Sequence, residues 1–192
     1  MATDQKPIRI YCDGVYDLFH YGHARLFENI KKAHPDCQII AGICSNQDII
    51  KYKGIPVTTE LERREVIKRC KWVDEVISPC PWKATVSYLK ENNLDFLAHD
   101  NEYLKPNEPD FFQDIKDAGI FLATPRTNSV STSEIIARVI KNRDAYIWRN
   151  LSMGMSRKEM NVSFLYEQLL KFKYSQIPKI RSLFKTKQPS SK

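Results

Sequence analysis

The sequence predicts an α/β fold, a doubly wound parallel sheet of about five strands with helices at the C-terminal side. Three observations carry this. Short continuous apolar runs, such as IRIYC at 8–12 and QIIAGIC at 38–44, recur through the first 124 residues. Segments with helical spacing separate them, and the alternation of the two patterns implies a parallel sheet covered on both faces. The composition, 42% hydrophobic and 28% charged over 192 residues, is that of a globular chain. No apolar run approaches the roughly 20 residues of a spanning helix.

The elements follow in order. After the strand at 8–12, the stretch 24–33 places Leu26, Ile30 and Ala33 on one helical face. The second strand is 38–44. A helix near 60–71 leads to a strand at 74–78 (DEVIS), and a helix at about 84–92 leads to a strand at 95–99 (DFLAH). A helix near 109–118 stops at Gly119, a good C-cap residue, before the fifth strand, 120–124 (IFLAT). The next helix starts near Thr132 or Ser133, with Ser131 as its N-cap. Repeated strand–helix–strand units of this kind make a Rossmann-like sheet. From about 143 the pattern changes: Tyr146, Trp148, Leu151, Val162, Phe164, Leu165, Leu169 and Leu170 read as one or two amphipathic helices, and Pro178 breaks or kinks the run. The expected organisation is an α/β domain over 1–143, a helical extension over 144–175 and a basic, flexible tail over 176–192.

The five cysteines are widely spaced and odd in number, and several sit inside apolar runs. That pattern fits buried free thiols in a reducing compartment rather than zinc or a disulfide framework. The N-terminal MATDQKPIRIY has no apolar stretch before the first strand, so no secretory signal is expected. The net charge is +7. Much of the excess lies beyond 162, where Lys171, Lys173, Lys179, Arg181, Lys185, Lys187 and Lys192 face one acid, Glu167.

In a parallel sheet of this type, ligands bind beyond the carboxyl ends of the strands. The segments after each predicted strand are DGVYDLFHYGH, SNQDIIKYKG, SPCPW, His99-Asp100 and TPRTNSVSTS. Nearly every unusual polar residue falls at this one edge. His20 and His23, three apart at a helix start, can share a face. Gly22 between them permits close approach of a ligand, and the helix N-terminus favours an anion. The alternative for the pair alone is zinc or a solvent role, although zinc would want a third ligand that Tyr21 and Gly22 do not supply. The block Arg126 to Ser133 offers a guanidinium, hydroxyls and a helix start, a second anion cradle, although an isolated S-T-S is more often just an N-capping loop. Lys53, beside Gly54, can swing onto a phosphate; Arg63 is a weaker candidate, and Arg64 reads as solvated. Trp82, with Asp13, Tyr103 and Phe111 or Phe112, could face a quaternary ammonium. On sequence alone Trp82 reads as a plug of the core edge.

Taken together, GVYDLFHYGH, the R-T-x-x-x-S-T-S block and E-R-R-x-x-x-I…K-W-V-D-E-V resemble the cytidylyltransferase family within the H-x-G-H nucleotidyltransferases, over roughly residues 8–170. The match is strongest to the branch that acts on choline phosphate, by P-W at 81–82, A-H-D at 98–100, Arg149-Asn150-Leu151 and the segment 159–164. The resemblance implies that His20 and His23 stabilise the transition state on the transferred phosphate, with Lys53 and Arg126 as further catalytic cations. It implies CTP contacts from Gly14, Val15, Tyr16, Asp17, Arg63, His99, Asp100, Thr127, Asn128, Ser129, Val130, Ser131 and Thr132, with Asp17 orienting the histidine motif. Asp13, Trp82, Tyr103 and Phe112 correspond to the choline cage. The resemblance also implies Mg²⁺ carried on the CTP phosphates without a named protein ligand, and a homodimer through Val73-Asp74-Glu75. Two departures stand out: Asn128-Ser129-Val130 replaces the usual Glu-Gly-Ile, and Phe112 stands where a Tyr is usual.

The implied reaction is in-line attack by phosphocholine on the α-phosphorus of CTP, giving CDP-choline and pyrophosphate, a step in phosphatidylcholine synthesis. Phosphoethanolamine or glycerol 3-phosphate is the alternative acceptor. A different class of function is a membrane-surface module, in which the basic tail with Phe164, Phe172, Leu183 and Phe184 makes weak contact with anionic lipid. Nucleic acid is not an expected partner. The expected location is cytoplasmic, at endomembranes or nuclear.

Overall fold

The computed structural model describes residues 6–100, 110–128 and 130–175. Two compact units divide the chain, Met1–Ile135 and Ile136–Lys192. The first holds a single sheet of β1 (Arg9–Gly14), β2 (Gln38–Cys44), β3 (Glu75–Cys80), β4 (Phe96–Asp100) and β5 (Phe121–Thr124). Their order is β3-β2-β1-β4-β5, and every neighbouring pair is parallel. Between the strands run α1 (Tyr21–Ala33), α2 (Asn46–Tyr52), α3 (Glu60–Lys68), α4 (Val86–Glu91) and α5 (Gln113–Asp117). The helix α6 (Thr132–Lys141) follows β5. This is the Rossmann-like doubly wound sheet expected.

Strand alternation sorts the core into two layers. Ile10 and Cys12 of β1, with Ile39, Ala41 and Ile43 of β2, pack against Phe27 and Ile30 of α1 and Ile67 of α3. Tyr11 and Ile40 point the other way, towards Ile49 of α2, Leu89 of α4 and Ile115 of α5. Both faces of β1 and β2 are therefore apolar, which is why those strands read as unbroken hydrophobic runs. Tyr11 lies across the backbone of β2. A Cβ at Gly42 would sit 2.1 Å from its hydroxyl oxygen, so glycine there makes room for the ring.

Two segments differ from expectation. No helix is predicted over 46–52, yet α2 forms there: Ser45 Oγ accepts the Asp48 N–H at 3.0 Å, and Ile49 is buried. The residues Pro79-Cys80, expected beyond the third strand, belong to β3, with Cys80 in register with Cys44. β3 is an edge strand, where a proline without an N–H is tolerated. The five cysteines are free thiols, all but Cys70 buried.

The second unit contains the remainder of α6, α7 (Arg143–Ser152) and α8 (Phe164–Ser175). Among the described residues of this unit, Ile147 and Leu170 are the buried apolar ones. Asp144 joins α7 to α8 by bonds from the Tyr166 hydroxyl and from Lys173, the latter at 2.9 Å. No helix among the described residues is long and apolar enough to cross a membrane. The tail 176–192, with the lipid contact expected of it, lies outside the described residues.

Candidate active site

β1 sits at the point where the sheet order reverses, with β2 on one side and β4 on the other. A crevice opens beyond the carboxyl ends at such a point. β1 delivers Asp13 and Gly14 to it, and β4 delivers His99 and Asp100. The loop after β1 then turns into α1. It does so with left-handed backbone at Tyr16 (φ 53°) and Leu18 (φ 47°), a conformation that non-glycine residues adopt at a cost and mostly where function needs it.

His20 is the N-cap of α1 and His23 its third residue. Their rings stack with centroids 3.8 Å apart and planes within 16°. The His20 N–H donates to His23 Nδ1 at 3.3 Å. Tyr16 meets the His23 ring edge-on at 5.4 Å, and Phe19 stacks at 5.6 Å. Burial drives the His23 pKa down to about 3, with the charges of His20 and Lys53 adding to the effect and Asp17 opposing it. Burial also lowers His20, against the pull of Glu134. Two stacked rings so close cannot both be cations, and His23 is neutral. Since its Nδ1 accepts a hydrogen bond, its proton sits on Nε2, which makes that atom a donor.

Asp17 is the knot behind this motif. Its carboxylate accepts the Val57 and Thr58 N–H groups, each at 2.8 Å, the Leu18 N–H at 3.0 Å and the Thr58 hydroxyl. Burial opposes its charge, but these bonds prevail and lower its pKa. Its backbone carbonyl accepts the Thr132 hydroxyl at 2.9 Å, which ties the second motif to the first. Ser131 Oγ accepts the Glu134 N–H at 3.1 Å and caps α6 as expected. Val130 closes the joint: a Cβ on Gly22 would lie 2.8 Å from Val130 Cγ1 and 3.0 Å from the His20 ring. Only a glycine lets the H-x-G-H turn and the R-T-x-x-x-S-T-S loop touch here. Arg126 and Asn128 are exposed on that loop, with Thr127 half-buried between them. Asn128 does not have positive φ; Ser129 lies outside the described residues.

Lys53 caps the C-terminal end of α2 and is exposed, near enough for its charge to lower the His23 pKa. Arg63 behaves differently from expectation. Its guanidinium is 1% exposed and donates to the Val15 carbonyl at 2.9 Å, the Cys44 carbonyl at 3.0 Å and Asn46 Oδ1 at 2.6 Å. Those bonds commit its terminal nitrogens to the ends of β1 and β2. It fastens the strand-end loops. The Asp17 carboxylate is spent within the protein, and the buried Tyr16 ring sends its hydroxyl to the Cys12 carbonyl at 2.9 Å.

Asp13 is 8% exposed, and among the described residues its Oδ1 has no hydrogen-bond partner. Burial raises its pKa, while His99 opposes that rise. Burial works against a charged His99, yet a hydrogen bond with Asp100 and the Asp13 charge raise its pKa overall. The His99 Nδ1 lies 3.3 Å from Asp100 Oδ1. Phe112 is buried and backs the His99 ring at 4.8 Å, packed also on Phe121; it is a core residue behind the site. Trp82 is half-buried and stacks on Tyr52, centroids 5.1 Å apart and planes within 22°. Tyr103 lies outside the described residues.

The residues 73–75 sit at the start of the edge strand. Val73 packs on the core, Asp74 accepts the Ile39 N–H and pairs with Lys31, and Glu75 pairs with Arg9. Among the described residues no group of three His, Cys, Asp or Glu is placed to hold a metal ion. A cavity of about 400 Å³ is lined by Tyr16, Leu18, Phe19, Thr58, Arg63 and Ile135 among others. Four contributors escape sequence reading: Thr58 and Asn46, which have only contact roles, Tyr52, and Glu134. The last had a signal, since Ser131-x-x-Glu134 is a capping-box pattern.

The cytidylyltransferase-like family model matches residues 11–138. Choline-phosphate cytidylyltransferase of Saccharomyces cerevisiae is 45% identical over 189 residues, 98% of this chain and 44% of that protein. Choline-phosphate cytidylyltransferase A of Mus musculus is 42% identical over 85% of this chain and 45% of its own length. Ethanolamine-phosphate cytidylyltransferase of the same species is 36% identical over 71% of this chain and 34% of its own length. The chain thus spans about half the length of the choline-phosphate relatives it matches. A solved lipopolysaccharide core biosynthesis protein from Thermoplasma volcanium shares the fold, with TM-score 0.52 and 21% identity over 64% of this chain and all of that one. With its sheet, its paired histidine turn and the model match all spanning the same residues, the chain belongs to the cytidylyltransferase-like family.

Proposed function

We propose that this protein transfers the cytidylyl group of CTP to phosphocholine, releasing pyrophosphate and forming CDP-choline. The observation that carries the reading is that His20, His23, Lys53, Val130 and Thr132 come together at one strand edge, through Asp17–Thr132 and Gly22–Val130. Similarity to choline-phosphate enzymes at 42–45% identity, against 36% for an ethanolamine-phosphate enzyme, supports the acceptor.

A phosphocholine oxygen attacks the α-phosphorus in line; the bond to that oxygen forms as the bond to the pyrophosphate bridging oxygen breaks. The protein needs no covalent step. It positions the reactants and neutralises charge that develops on the phosphoryl oxygens. The neutral His23 donates from Nε2 without having to lose a charge, and the stacked His20 holds that ring in place. Lys53 and Arg126 carry the outer phosphates on flexible stems. Mg²⁺ carried in with CTP would neutralise phosphate charge, and no protein side chain is assigned to hold it. Asp13, with a buried unpartnered oxygen, suits the cationic head of the acceptor, and Trp82 offers it a π face.

The test is His23→Ala at saturating CTP. Loss of a donor to the transition state lowers kcat by about 10²–10³-fold, with the fold intact by circular dichroism. Near wild-type CDP-choline synthesis by that variant would end the proposal. A dimer through Val73-Asp74-Glu75 is part of the same reading.

A further inference from the structure

We propose that Tyr52 is a specificity-determining positioning residue for the acceptor, acting through Trp82. This rests on the reading of the site as one for phosphocholine. Tyr52 belongs to neither motif, and 30 residues separate it from Trp82. In the fold the two rings stack, 5.1 Å apart with planes within 22°.

The stack is fixed from below. α2 is held at its start by the Ser45 cap and in its middle by buried Ile49. Its last turn closes with the Lys53 and Gly54 N–H groups both donating to the Ile49 carbonyl at 2.8 Å. Trp82 comes from the other side, two residues past β3 and packed on the same core layer as Ile49. Tyr52 therefore clamps one face of an indole that is half-buried against that core layer. It is 52% exposed, so the ring is not there to fill the core. The Tyr52 ring already holds a cation, since the Lys51 ammonium lies 4.7 Å from its centroid. A two-ring surface that draws cations, with its plane preset, discriminates for a trimethylammonium head through dispersion and cation–π attraction. It offers little extra to a primary ammonium, which prefers hydrogen bonds.

Tyr52 is also the residue before Lys53. One anchored helix end thus carries the ring that sets the acceptor wall and the ammonium that sits by His23.

The experiment measures KM and kcat of the full chain for phosphocholine and phosphoethanolamine, with KM for CTP, in wild type and in Tyr52→Phe, Tyr52→Leu and Tyr52→Ala. Tyr52→Ala and Tyr52→Leu raise KM for phosphocholine about tenfold, leave KM for CTP within about twofold and lose the preference over phosphoethanolamine. Tyr52→Phe retains the preference. Equal preference ratios in wild type and both Tyr52→Ala and Tyr52→Leu would overturn the role of Tyr52 and leave the phosphocholine reading intact. A wild type without preference for phosphocholine would instead overturn the reading on which it rests. A fall in kcat with both KM values raised would mark Tyr52 as merely structural and sink the proposal.

Discussion

His23 donates from a neutral ring, and its environment sets that state. Its folded pKa of about 3 lies far below the free value of 6.5, so the unfolded chain takes up this proton first. The ring therefore costs stability as pH falls from about 6.5 towards about 3 and contributes nothing to the pH dependence above that window. An NMR titration of the free protein is expected to show no His23 midpoint between pH 5 and 8. Adding Mg–CTP should move the midpoint upward, because phosphate charge favours the imidazolium; a free-protein midpoint near 6.5 would contradict the buried, stacked arrangement. Asp17 has the opposite sign. Its lowered pKa gives stability that is present above its unfolded value and lost as pH falls through the folded value. Asp17→Asn replaces a carboxylate that accepts four hydrogen bonds with an amide that can accept only through its oxygen. Urea unfolding should show a loss of about 2–3 kcal/mol at neutral pH, with activity falling too, as the Thr58 and Thr132 sides of the knot loosen.

At the scale of elements, the two motifs are one structural unit because Val130 fills the space that Gly22 leaves. Gly22→Ala should destabilise by about 1–3 kcal/mol through overpacking and depress kcat. Val130→Ala in the same chain should recover part of both, and the recovery is incomplete because the new methyl also meets the His20 ring. Simple additivity of the two substitutions, read from a double-mutant cycle, would mean the contact carries no coupling. The strands were legible in the sequence since both faces of β1 and β2 are buried and the apolar runs are continuous. α2 was not, because one buried residue, Ile49, leaves no periodicity to read. The paired histidines and their place at a strand end were legible; the burial of Arg63 was not, since a helix arginine usually faces water and only the carbonyls of Val15 and Cys44 reveal its use. Tyr52 against Trp82 belongs to the same kind of omission, a contact between distant positions with no local pattern.

For the whole molecule, the α/β unit carries the candidate chemistry and the helical unit follows it. The cations expected to meet lipid lie chiefly in 176–192. Flotation on vesicles containing anionic lipid, with and without residues 171–192, should show weak binding that depends on those residues and fades with salt. Equal flotation of both forms would remove the tail from any lipid role. The assignment as a whole is tested most directly by an acceptor panel of phosphocholine, phosphoethanolamine and glycerol 3-phosphate, each offered with Mg–CTP or Mg–ATP, following pyrophosphate release. The expected outcome is fast release with CTP and phosphocholine, slower release with the other acceptors and little with ATP. Failure to release pyrophosphate from CTP with any of the three would contradict cytidylyl transfer at the paired histidines.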